Sequence, residues 1–175
     1  MNDALLKLKS YIQEIKPVWL IVLTTLSILM MQTLFDLLFE ILNIPHGSNV
    51  SIKKPVTNFE IFVSPFFRFI EVCIIAPIVE TFIFQYLFYE LLCVKFKFDK
   101  KIFIFFTALF FGILHYDYFT TILIITLCCI VFNYLYVVLI ETKSKKEAFK
   151  IIIFIHASLN AVALIGKYIS FYVNI

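Results

Sequence analysis

Glycine is almost missing from this chain: three residues in 175, beside five prolines and a single tryptophan. So little turn-forming material leaves no room for long flexible linkers, and residues 1–175 read as one compact domain. Charge is scarce too. Only 15% of residues are Asp, Glu, Lys or Arg against 62% hydrophobic, a balance that excludes an ordinary soluble domain. The net charge is +3, and the basic residues sit in short clusters between apolar runs instead of interleaving with aromatics, which argues against nucleic acid as a partner. The four cysteines, Cys73, Cys93, Cys128 and Cys129, show neither C-x-x-C nor Cys/His ligand spacing, so they read as small apolar packing residues and not as a disulfide framework. Internal repeats and low-complexity segments are absent.

What the chain does contain is long apolar runs, with a mean hydropathy of +0.99. The pattern predicts an all-α polytopic membrane helix bundle of about five transmembrane helices plus an amino-terminal interfacial helix, with the lipid bilayer as its solvent. Over 4–16, Leu5, Leu8, Ile12 and Ile15 recur at helical spacing with Lys7, Lys9 and Lys16 elsewhere, which suits an amphipathic helix at the interface. The spans are expected at 17–42, 62–93, 102–118, 120–140 and 150–172. A turn-rich loop of 43–58 holds His46, which has no ligand pattern around it. Arg68 and Glu71 are spaced for an ion pair within the second span. Lys and Arg number eleven on the side of the amino terminus and the two lysine loops (95–101 and 143–150) against four on the other, so the amino terminus is expected in the cytoplasm.

Within this apolar background a few polar side chains call for an explanation. Glu80 falls near the middle of the second span, where a carboxylate costs about 2.5–3.5 kcal/mol to insert and by default marks function. Phe111 and His115 share a face of the third helix, and His156 and Asn160 share a face of the fifth. One carboxylate, two imidazoles and one carboxamide are an inventory for water-activated hydrolysis, with a membrane peptide or membrane protein as substrate. The same Glu80, His115 and His156 would equally serve as zinc ligands with one position open to water, and residue types alone leave both versions open. Drawn at about 1.5 Å per residue, these spans place His115 and His156 at depths differing by roughly 10 Å, a mismatch that tilt or a deeper third helix would close.

These residues carry a resemblance. Glu80, then Phe111 with His115, then His156 with Asn160 match in order the E-E-x-x-x-R, F-x-x-x-H and H-x-x-x-N/D motifs of the CPBP intramembrane proteases, also called the Abi or CAAX-protease family. The resemblance covers about 80–160, within a motif-bearing core of about 62–172. It implies an intramembrane endopeptidase in which Glu80 and His115 activate water and His156 and Asn160 stabilise the oxyanion. Thr81 and Gln85 stand where the family has a second glutamate and an arginine; four residues apart, they are expected to keep a supporting hydrogen bond without buried charge. Two other classes accommodate the same residues: a catalytically silent scaffold or bacteriocin-immunity protein, and a small transporter or proton relay, although no inverted repeat supports transport. The short chain suits a bacterial inner membrane.

Overall fold

The computed structural model describes residues 2–45, 65–115 and 118–173. His46, Lys53, Lys54 and the connection through Tyr116 and Asp117 lie outside the described residues. Among the described residues the secondary structure is entirely helical: α1 (Asn2–Glu14), α2 (Pro17–Ile41), α3 (65–95), α4 (Lys100–Leu114), α5 (Phe119–Thr142) and α6 (Lys145–Val173). This is an all-α membrane bundle, and the protein is an integral membrane protein. Three helices, α2, α5 and α6, are long and apolar enough to cross a bilayer. The other two expected spans are unusual. α4 has only 15 residues, and α3 alternates α-helical winding with π-helical segments at Ile70–Ile75, Phe82–Leu87 and Glu90–Lys95.

Local chemistry fixes the helix ends. Pro17 opens α2 at a position where its missing N–H costs nothing. The Asp99 carboxylate accepts from the Lys101 N–H at 2.7 Å and caps α4. Ser144 Oγ accepts from the Glu147 N–H at 3.2 Å, so α6 starts at Lys145, five residues before the expected boundary.

Lipid supplies no hydrophobic drive between helices, so contact depends on close packing and polar links. α4 and α5 pack closely where Gly112 crosses α5; a Cβ there would stand 2.0 Å from Thr126 Oγ1 and 2.9 Å from the Ile122 carbonyl oxygen. The main core centres on Tyr136 and Leu139 of α5 and Ile152 and Ile155 of α6 and draws buried residues from all six helices. Phe105, Phe106, Phe154 and Ile165 point outward, as residues facing lipid should.

One end of the bundle is held by ion pairs. Glu141 at the end of α5 meets Lys100 of α4 and, at 2.6 Å, Lys9 of α1. Lys145 meets Glu90 at 2.5 Å, and Lys143 Nζ donates to the Gln13 carbonyl at 3.1 Å. The amino-terminal helix and both lysine turns therefore gather at this one end, with Ile12 of α1 buried in the core. The lysines expected as loop charge are in part structural clasps.

Candidate functional site

Depth is the first requirement for the candidate residues to meet, and the ion-paired end supplies a common origin. Glu80 lies ten residues from Glu90, His156 eleven from Lys145 and His115 fifteen from Lys100, or about 15, 17 and 22 Å of helix. The mismatch of roughly 10 Å expected from the drawn spans thus narrows to about 6 Å. The correction comes from the early start of α6, not from a deeper third helix, and side chains bridge the rest.

Glu80, Phe111, His115, His156 and Asn160 all line one cavity of about 770 Å³. On its wall Glu80 faces His156, with Oε2 and Nε2 3.3 Å apart. His156 is 8% exposed, and its Nδ1 is buried with no partner. His115 caps the end of α4, and its Nδ1 lies 2.9 Å from the Phe111 carbonyl oxygen. A carbonyl only accepts, so Nδ1 carries the proton of this contact, and in the neutral imidazole the lone pair is then on Nε2. The Phe111 ring packs on His115 at 4.5 Å between centroids and on Phe84 of α3 at 4.7 Å, tying α4 to α3 beside the site. The structure thereby brings the whole expected set together, with one change of pairing: the side chain against Glu80 is His156. Asn160 Nδ2 donates to the Val72 carbonyl at 2.8 Å.

The expected Thr81–Gln85 link is replaced. Phe82–Leu87 is wound as a π-helix, which brings i and i+5 into line instead of i and i+4. Thr81 Oγ1 is buried without a partner, and Gln85 turns to α5. There Gln85 Nε2 donates to Asn133 Oδ1 at 3.0 Å, while Asn133 Nδ2 donates to Thr107 Oγ1 at 2.7 Å and to the Ile104 carbonyl at 3.0 Å. Asn133 is fully buried, and it joins three helices behind the cavity. The sequence reading passed over it, though a signal was present: Asn133 is the only carboxamide in the apolar run of α5. Gln32 of α2 also lines the cavity, with its Nε2 at 3.5 Å from Cys128 Sγ.

The type II CAAX prenyl endopeptidase Rce1-like family model matches residues 62–162, more than half of the chain. The protein belongs to this family. All five cavity-lining candidates of the Rce1-like motifs fall inside the matched region, whereas α1, α2 and Gln32 precede it. No curated protein and no solved structure matches the chain.

A zinc centre needs three protein ligands and an open position. Among the described residues no three His, Cys, Asp or Glu side chains gather closely enough to hold an ion. The Glu80–His156 pair alone does not make such a site.

Proposed function

We propose that this Rce1-like protein is an intramembrane endopeptidase hydrolysing a peptide bond of a membrane-associated or lipidated substrate. The observation that carries the reading is the Glu80–His156 contact on the wall of a cavity shared with His115 and Asn160. Glu80 takes a proton from water while His115 Nε2 accepts the water's other hydrogen and orients it. The hydroxide adds to the scissile carbonyl carbon. The carbonyl oxygen becomes an oxyanion and accepts hydrogen bonds from the His156 Nε2–H, released as Glu80 takes the water proton, and from the second Nδ2–H of Asn160. Collapse breaks the C–N bond, and the amine leaves with the proton held by Glu80, which restores the carboxylate. Thr81 and Gln85 have no part in proton transfer; Gln85 braces α3 through Asn133.

The test is cleavage of a membrane-inserted peptide by purified protein in liposomes. Hydrolysis should be lost in Glu80→Gln and His156→Ala and kept in Ser158→Ala, whose hydroxyl bonds only its own helix at the Phe154 carbonyl. Equal activity in all four proteins would sink the assignment. A catalytically silent scaffold is the second reading, favoured by Thr81 and Gln85 replacing the family's acidic and basic pair; it requires that wild type cleave nothing while remaining folded.

A further inference from the structure

Asn160 spends one amide hydrogen on a backbone carbonyl of another helix, which is unusual because helix carbonyls normally have their own partner. The reason lies five residues along α3. Ile70–Ile75 is π-helical, and the Ala76 N–H bonds the Glu71 carbonyl, five residues back. In that register the next N–H would satisfy Val72. The next residue is Pro77, which has no N–H to give. Its ring would also clash with a carbonyl four residues back, and the wider π turn relieves this. Val72 is therefore left with an unpartnered carbonyl at membrane depth, where neighbouring helices must satisfy it. Asn160 Nδ2 does so at 2.8 Å.

We infer that Pro77 is a positioning residue for the site: by leaving the Val72 carbonyl open, it holds the Asn160 carboxamide with its second N–H free for the cavity. Pro77 itself is buried and does not line that cavity. The bond also clasps α6 to α3 about two turns before Glu80, so one missing N–H sets both the oxyanion donor and the helix carrying the carboxylate. This inference rests on the hydrolytic reading for its catalytic consequence, but the hydrogen-bond hand-over stands independently of it.

The experiment is a cycle of wild type, Pro77→Ala, Asn160→Ala and the double variant, read by thermal unfolding in detergent and by peptide cleavage in liposomes. Alanine at 77 restores an N–H, which bonds the Val72 carbonyl and displaces Asn160. Asn160→Ala should lower Tm by about 2–4 °C in wild type and by about 1 °C or less beside Pro77→Ala. Pro77→Ala should not lower Tm, since a proline inside a helix is normally a burden. It should still reduce kcat at least about tenfold with KM within about twofold, the mark of lost alignment and not of lost binding. Additive Tm losses would overturn the inference whatever the activity, and so would coupled losses with an unchanged kcat. If wild type cleaves nothing, the hydrolytic reading fails, and the Tm cycle alone decides the hand-over.

Discussion

Two regions of the molecule join helices with polar groups, and they do so in opposite ways. At the ion-paired end, Glu141 meets Lys9 and Lys100 with side chains 26%, 33% and 48% exposed. At mid-bundle, Gln85, Asn133 and Thr107 make neutral hydrogen bonds with almost no exposure. Charge is tolerated where water screens it, and only amides and hydroxyls are used where water is absent. Exposed pairs are worth about 0–1 kcal/mol, whereas stripping a partner from a buried polar group costs about 1–3 kcal/mol. The exception is Glu80, a carboxyl group at mid-bundle whose side chain, 29% exposed, opens onto the cavity. A carboxylic side chain there, paired with an imidazole beside a cavity, is where function overrides the rule.

Breaking that exception should have the largest effect. Glu80→Gln keeps shape and hydrogen-bonding capacity but cannot take a proton from water, so cleavage should fall by about 10²–10⁴-fold with thermal stability nearly unchanged. Single-turnover cleavage beside a melting curve measures both. A large fall in stability with little change in cleavage would reassign Glu80 to structure.

Next comes the neutral network. Asn133→Leu fills a similar volume and leaves Gln85, Thr107 and the Ile104 carbonyl without their shared partner, at an expected cost of about 2–4 kcal/mol. Denaturant unfolding in mixed micelles reads this directly. The effect on cleavage should be secondary, through slack between α3 and α5. If Asn133→Leu unfolds no more easily than wild type, the mid-bundle region is no stronger a joint than the charged end.

How much of this was legible beforehand follows the same divide. Helices and ion-pair spacings depend on hydropathy and i, i+3 geometry, so the helical segments and the Arg68–Glu71 pair, at 2.9 Å, could be read directly, whereas of the five expected spans α2, α5 and α6 are long and apolar enough to cross a bilayer. Glu80, His115, His156 and Asn160 stood out because each is polar in an apolar run. Their partners did not. A regular 3.6-residue period put Thr81 beside Gln85, and nothing in the residue string announces the π winding of 82–87 that turns Gln85 toward Asn133. The Asn160–Val72 bond was hidden for a related reason: it depends on which carbonyl a proline leaves open, and that changes with the winding of the preceding turn.

Packing without polar groups supplies an intermediate case. Gly112 allows α4 to approach α5 until its Cα faces Thr126, and a methyl group there meets both the threonine side chain and the Ile122 backbone. Thr126 can rotate away, but the Ile122 carbonyl cannot. Gly112→Ala should therefore cost about 1–3 kcal/mol by overpacking and displace His115 three residues on. Adding Thr126→Ala should recover only part of the loss, which unfolding of the double variant would show. Full recovery would mean that the threonine, not the backbone, sets the spacing.

The smallest effect should come from the most conspicuous charges. Glu141→Gln removes the acceptor shared by Lys9 and Lys100, two contacts that look strong by distance. Both lysines can reach water instead, and the α1 clasp retains Ile12 in the core and the Lys143–Gln13 bond. The expected loss is below about 1 kcal/mol and should shrink further in high salt. Unfolding of wild type and Glu141→Gln at low and high ionic strength measures it. A loss matching that of Asn133→Leu, insensitive to salt, would place the charged end in a low-dielectric setting and remove the contrast between the two regions, because Glu141 would then act as a buried partner and not as a screened one.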